Sequence, residues 1–460
     1  MTPLLLGAVL NPVNSTMIAT ALVSVGHAFG VGAADTAWLV ASLYLASAVA
    51  QPTMGRLADL LGARRVFLAG LAIVVAAGVV GALAPAFGWL IASRVLLGIG
   101  TSAAYPCAMA VLRAESLRLG VPTPRPVLAR LSLASLGSAA VGPVLGGVLT
   151  ATAGWRAIFA VNVPVALVGL VLAALWLPRG DARVRGERGA HGERGDGRGG
   201  GRDRRGGGLD PLGILLFAAT LTAAMVFLMD VAHPRWLLLP AVAVCGAVLV
   251  WWQLRRPSPF LDLRMLGRNR ALARTYLRHG LAYLVIYCVM YGFAQWLEES
   301  HGYSSFHAGL IMLPMSGAAA ACSLLGARTK GIRGPLTLAA VLLVAGSGVL
   351  LLAHDGTPLA VVLLASVLFG LPQGLAGTGN QAAVAAQAPP DGVGAAAGLQ
   401  RTAQYIGAIT AASLIALFYG HHADDSGLHG IALTTGVLAL VVLALTVTDR
   451  ALRPRTNRER

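Results

Sequence analysis

The segment Gly55–Arg65, GRLADLLGARR, decides the fold, because it is the polar interruption between two long apolar stretches. Residues Thr36–Gly55 carry no formal charge, and Val66–Ser93 repeat that pattern on the other side. About 20 apolar residues cross a bilayer as a helix, so the arrangement predicts span, turn, span. Arg56, Arg64 and Arg65 against the single acid Asp59 put the turn on the cytoplasmic side, since basic residues gather in cytoplasmic loops.

Composition agrees. Of 460 residues, 56% are hydrophobic and 12% charged, about half the charged fraction of an ordinary soluble domain. Net charge is +16, almost all of it from arginine. In so apolar a chain this excess indicates cytoplasmic loops before it indicates nucleic acid. Cys107, Cys245, Cys288 and Cys322 fall in separate apolar runs without CxxC spacing, so neither a disulfide framework nor a zinc site is expected. The first run lacks a basic segment before it and exceeds the apolar core of a secretory signal, and it reads as a retained helix.

Fourteen charge-poor runs are long enough to cross: near 3–29, 36–55, 66–86, 88–112, 131–153, 157–177, 210–229, 236–254, 276–297, 306–327, 335–353, 358–384, 395–419 and 428–448. An even number returns both termini to one side. Arg113, Arg118, Arg125 and Arg130 follow the fourth run, Arg255 to Arg274 the eighth, and Arg328, Lys330 and Arg333 the tenth. The opposite loops are short and carry Asp35, Asp230, Glu298, Glu299, Asp355, Asp424 and Asp425. Both termini are therefore expected in the cytoplasm, and the protein in the plasma membrane.

Residues 179–208 hold nine arginines and five acids among glycines, too little apolar surface to fold. They read as a disordered cytoplasmic tether, a reading preferred to an RGG-type RNA contact. The expected division is a six-helix bundle over 1–178, the tether over 179–208, two additional spans over 209–256, a second six-helix bundle over 257–449, and a basic tail over 450–460. GARTKGIRG at Gly326–Gly334 follows the tenth span as GRLADLLGARR follows the second, a weak internal repeat without the acid.

The interruption at 55–65 resembles the loop between the second and third helices of the major facilitator superfamily. Gly55, Leu57, Ala58, Asp59, Gly62, Arg64 and Arg65 match its pattern, whereas Leu60 and Ala63 stand where the family usually has basic residues. The two extra spans and GWRAIFAVNVPVALVGLVLA at Gly154–Ala173 resemble the fourteen-helix drug:proton antiporter branch. The resemblance implies an all-α polytopic membrane protein, two six-helix bundles plus two further helices, working by alternating access around a mid-membrane cavity. It makes Gly55, Leu57, Asp59, Gly62, Arg64 and Arg65 a conformational hinge, in which Gly55 lets backbones approach closely and Asp59 meets arginines in one state.

Arg94, in LIASRVLLGIGTSAA of the fourth span, is an intramembrane charge that costs about 2.5 to 3.5 kcal/mol at mid-helix and so is expected to face an interior cavity and a partner. With Gly98 and Gly100 it resembles the family's fourth-helix motif. The fifth span reads LGSAAVGPVLGGVL from Leu136. Pro143 lacks the amide that would bond Ala139, predicting a kink. Gly142, Gly146 and Gly147, with Gly137, offer a face for close helix packing. Gly142, Pro143, Gly146 and Gly147 resemble the antiporter motif of exporters in the superfamily, which implies efflux.

The first span departs from the branch, with Asn14 standing where the resemblance would put an aspartate, before Thr16. Asparagine exchanges no proton at physiological pH. No carboxylate lies deep in spans one to six. Asp35 suits a helix N-cap. Asp230, Glu298 and Glu299, at the outer ends of their spans, could titrate near the vestibule, and each reads first as a solvated helix end.

Neutral polar residues interrupt later spans. Gln373, Asn380 and Gln381 accompany Gly370 and Pro372, which allow local unwinding, and Gln400, Arg401 and Gln404 open the thirteenth span. Asn14, Thr16, Tyr44, Gln373, Asn380, Gln381 and Gln404 are the candidate cavity residues, with hydrogen bonding between helices an equal alternative. Trp38, Tyr44, Tyr105, Tyr287, Tyr291 and Trp296 offer rings to an apolar aromatic or cationic drug, or belong to the interfacial belt. HHADDSGLHG from His421 lacks ordered ligand spacing, and no metal is assigned.

The expected function is export of an amphiphilic small molecule in exchange for protons, by a monomer in a lipid bilayer with no cofactor and no nucleic-acid partner. The alternative within the class is a specific metabolite exporter or a facilitator without proton coupling. A membrane enzyme would need clustered catalytic or ligand residues within the spans, and an ATP-driven pump a P-loop; neither occurs.

Overall fold

The computed structural model describes residues 2–119, 138, 141–177, 210–229, 236–256, 259–260, 263–326, 331–388 and 393–452. Among them thirteen helices are long and apolar enough to cross a membrane. They are α1 (Pro3–Phe29), α2 (Ala33–Ala58), α3 (Ala63–Ala82), α4 (Phe87–Val111), α6 (Arg156–Trp176), α7 (Pro211–Leu228), α8 (Leu238–Arg255), α9 (Arg270–Glu299), α10 (Ser305–Gly326), α11 (Arg333–Leu350), α12 (Leu359–Gln387), α13 (Ala396–Tyr419) and α14 (Asp425–Thr448). A shorter apolar helix, α5 (Val141–Ala153), takes the fifth position. The expected fourteen thus stand as thirteen full-length spans and one shorter helix. The tether, Asp230, Gly137, Ala139 with its expected kink, and residues 453–460 of the basic tail lie outside the described residues, as does the side chain of Asp59.

The polar interruption is smaller than its sequence suggested. Arg56, Leu57, Ala58, Leu60 and Leu61 are good helix formers, and the helix of α2 continues through them to Leu61. Gly62 alone makes the turn, at φ 92°, and α3 begins at Ala63. That conformation excludes side chains but not glycine. Its N–H closes the first helix on Ala58 O at 3.0 Å and its carbonyl accepts from Val66 N at 3.3 Å. At the other end of α2, Gly32 is the N-cap, and Asp35 sits in the first turn instead of capping it. There its charge complements the helix dipole.

α1 is two α-helical pieces joined by a buried 3-10 turn, Ile18–Ala21. α12 runs unbroken through Pro372, so the expected unwinding is absent. Its glycines serve packing instead: a methyl on Gly370 or Gly374 would collide with the Met315 or Ala319 carbonyl of α10.

Burial separates the layers. α9 is 83% buried, whereas α7 and α8 are 17% and 11% buried, so α9 is central and the extra pair peripheral. α6 and α14 expose Leu167, Val171, Leu433 and Val437, faces suited to hydrocarbon. Asp210 ties α7 to α8 by accepting from Gly213 N at 3.0 Å and Trp252 Nε1 at 2.9 Å. α7 also packs against both α2 and α13.

The internal repeat reappears as a bond. Arg64 Nη2, at the start of α3, donates to Ala174 O near the end of α6 at 2.8 Å. Arg333 Nη2, at the start of α11, donates to Val447 O near the end of α14, also at 2.8 Å. Each pins the third helix of a bundle to its sixth through an otherwise unpaired terminal carbonyl.

Candidate transport cavity

One face of α9 carries His279, Tyr283, Tyr287 and Tyr291, each four residues after the last, a spacing that stacks side chains along a helix. Successive ring centroids lie 4.6, 5.7 and 5.9 Å apart. Tyr44 of α2 approaches Tyr287 to 5.2 Å, and Tyr405 of α13 approaches Tyr44 to 5.6 Å. The hydroxyls are chained. Tyr291 OH donates to Ser15 O at 2.5 Å, which leaves Tyr44 as donor in the 2.9 Å bond between the two phenols. Gln404 Nε2 donates to Tyr287 OH at 2.7 Å, and Tyr405 OH to Gln51 Oε1 at 2.7 Å.

Beside this cluster lies a recess of about 370 Å³, counting its open mouth, lined by Gly7, Asn11, Pro12, Gln51, Thr101, Ser102, Ala104, Tyr105, Arg401 and Tyr405. Gly7 and Tyr105 belong to the ends of α1 and α4 nearest Gly62, so the recess faces that end of the molecule.

The other end is sealed. Ala34 N donates to Gly420 O at 2.7 Å and Ala33 N to His421 O at 3.3 Å, joining the first turn of α2 to the loop after α13. The glycines of α5 make the seal at the start of α10. A methyl on Gly147 would lie 2.5 Å from Ser305 O, and one on Gly309 would lie 2.8 Å from Pro143 O. Gly142 and Gly146 face α1, where a side chain would strike Thr16 and the Met17 carbonyl. Thr20 Oγ1 donates to Pro143 O at 3.2 Å. Thr16 itself bonds Pro12 O at 2.9 Å, and so belongs to this packing surface.

Glu298 lies at the same seal. It is half-buried, not a solvated helix end. Oε2 accepts from Ser305 Oγ at 2.8 Å, and Ser305 Oγ is 3.3 Å from Ser24 Oγ of α1. Oε1 is buried with no hydrogen-bond partner. Glu299 is also not solvated: it accepts from Ala423 N at 2.5 Å. The His421 loop supplies caps and staples, with Asp424 accepting from Gly427 N at 2.8 Å and Asp425 from Trp296 Nε1 at 2.7 Å. Trp296 therefore belongs to the sealed end and not to the ring cluster.

Arg94 is fully buried. Nε donates to Leu39 O and Nη1 to Asn14 O, both at 2.9 Å, while Nη2 has no partner. Its partners are backbone carbonyls, and no carboxylate pairs with it. Asn14 is buried and exchanges amide bonds with Asn162 of α6, at 2.6 and 2.9 Å.

The remaining candidates disperse. Asn380 accepts from Arg278 Nε at 2.9 Å, inside a buried clamp in which Arg278 Nη1 also meets Asp449 Oδ2 at 3.0 Å. Gln381 is exposed and Gln373 half-buried. Leu57 packs against the core, Arg65 is exposed, and a methyl on Gly55 would lie an ordinary 3.5 Å from Pro106. The close approach expected at Gly55 is therefore not made in this conformation. Sequence reasoning missed His279, Tyr283, Arg278 and Asn162. The four-residue spacing of rings along 279–291 was the available signal.

Two helical groups meeting around an aromatic cluster, sealed at one end and recessed at the other, match proteins already known. The family model described as Major Facilitator Superfamily matches residues 4–412. The chain is 31% identical over 420 residues to "Uncharacterized MFS-type transporter YwoD" of Bacillus subtilis, covering 90% of this chain and 88% of that one. It is 26% identical to "Multidrug efflux pump LfrA" of Mycolicibacterium smegmatis, covering 92% and 81%. To the "Tetracenomycin C resistance and export protein" of Streptomyces glaucescens it is 25% identical, covering 91% and 75%. Among solved structures, the xylose transporter XylE of E. coli in a partially occluded inward open conformation superposes with a TM-score of 0.63 at 16% identity, covering 95% of each chain. The paired helical bundles and the match along most of the sequence lead to one assignment: this chain is a multi-pass membrane transporter, not an enzyme, and it belongs to the major facilitator superfamily.

Proposed function

We propose that the protein exports amphiphilic small molecules across the plasma membrane in exchange for protons. Its rocking units are the bundles within 1–178 and 257–449, with both termini in the cytoplasm. The observation that carries this reading is the glycine-lined seal, where Gly147 meets the Ser305 carbonyl and Gly309 the Pro143 carbonyl. In this orientation the recess opens inward and the seal lies outward, the state in which an exporter loads. Relatives named as an efflux pump and as an export protein support the direction.

Proton coupling falls to Glu298. Closing the outer end takes this carboxyl out of water beside Ser305 and leaves Oε1 unpartnered. Burying it ionised costs several kcal/mol, so proton uptake from outside accompanies closure, and exchange requires that this proton then leave toward the cytoplasm while that end stays closed. The division of labour differs from an acid in α1, because Asn14 and Asn162 satisfy each other. That same pair favours the second reading, a specific metabolite exporter or facilitator that moves cargo without protons. Dye uptake into everted membrane vesicles, with and without an imposed pH gradient, separates the two: accumulation that ignores the gradient removes the antiport claim.

A further inference from the structure

The chain treats its buried arginines in two ways. Arg278 is fully engaged, with Nε on Asn380, Nη1 on Asp449 and Nη2 on Thr275. Arg94 is buried against two backbone carbonyls with Nη2 unpartnered. Arg401 lines the recess and takes part in no hydrogen bond or ion pair with any other described residue; its electrostatic neighbours are Tyr105, Tyr283, Tyr287 and Tyr405. Arg94 likewise lies within electrostatic reach of Tyr44 and Tyr291. Two uncompensated positive charges therefore flank one cluster of tyrosines.

No carboxylate lines the recess among the described residues. The acids whose side chains are described lie elsewhere: Asp449 holds Arg278, Asp210 holds Trp252, and Asp35, Glu298, Glu299, Asp355, Asp424 and Asp425 lie at the sealed end. Among the described residues, a cation entering this space meets like charge without an acid to receive it. A planar anion meets a guanidinium fork that matches carboxylate geometry and rings that stack on an aromatic body.

We infer that the cargo is an aromatic organic anion, held through its acidic group by Arg401 and through its rings by Tyr105 and Tyr405, which line the same recess. Movement of such a molecule rests on the export reading above; its binding does not. The charge also suits the direction, because an inside-negative potential drives anions outward and protons inward.

The test uses two dyes that share a xanthene ring system and differ in charge, anionic fluorescein and cationic rhodamine 123. Their binding to the full-length protein purified in detergent is followed by fluorescence anisotropy. Fluorescein should bind saturably and rhodamine 123 at least about tenfold more weakly. Arg401→Gln should weaken fluorescein binding about tenfold to a hundredfold, and Arg401→Lys should recover part of it. Absence of saturable fluorescein binding, equal or tighter binding of rhodamine 123, or unchanged fluorescein binding in a folded Arg401→Gln variant would each overturn the inference. Should that variant fail to fold, the discrimination shown by the unmodified protein decides alone. Everted vesicles then separate the two claims. Fluorescein that binds but is never transported overturns export and leaves the anion site standing. Rhodamine 123 transported while fluorescein neither binds nor moves does the reverse.

Discussion

A charge surrounded by hydrocarbon needs a reason, and at Arg94 the reason is two carbonyls. It joins Leu39 of α2 to Asn14 of α1, so it sets how those helices meet beneath the ring cluster. Arg94→Ala should abolish dye efflux while the protein still fractionates with membranes; full activity would remove the role. Asp449 serves a different end. Asp449→Asn leaves the buried Arg278 guanidinium without its counter-charge, and loss of one partner of a buried pair costs about 3 to 5 kcal/mol. A clearly lowered unfolding temperature in detergent is the expected reading, with a surface acid such as Asp355→Asn as the unaffected control. Glu298→Gln keeps a bond to Ser305 possible and removes the titratable proton. Efflux should lose its response to an imposed pH gradient while dye exchange at equal pH continues. A retained response would return the coupling to another group.

Among the elements, α5 is where small residues do the most. Ser305 O sits where a side chain on Gly147 would go, so Gly147→Val should hold the outer end apart. Cysteines placed at Ser24 and Ser305, whose hydroxyls lie 3.3 Å apart, should crosslink readily in the parent and poorly in that variant. Gly55→Ala, by contrast, should retain transport and the same crosslink, since only an ordinary contact with Pro106 awaits the methyl. The spans were legible from sequence because a bilayer demands long uncharged runs, and the thirteen full-length helices follow those runs to within one or two helical turns. Helix ends were less legible: Leu57 to Leu61 look polar in context, yet their intrinsic preference carries α2 to Gly62. The site was legible only in part. Arg278 falls at the very start of the ninth run, just after the basic loop that ends at Arg274, and its partners stand 102 and 171 residues away. Tyr283 hides among apolar neighbours, where a tyrosine ordinarily suggests the membrane interface.

For the whole molecule, the proposed inward orientation of the recess rests on placing the arginine-rich loops in the cytoplasm. Membrane-impermeant thiol labelling of intact cells should reach a cysteine introduced at Asp355 and spare one at Arg65, and the opposite pattern would invert the transport direction. The extra helices add an asymmetry. Because α7 lies against both α2 and α13, it covers the seam where these two helices, one from each bundle, pack together. Any molecule travelling sideways out of the bilayer toward that seam meets a helix in its way, so on this flank the extra pair works as a shutter.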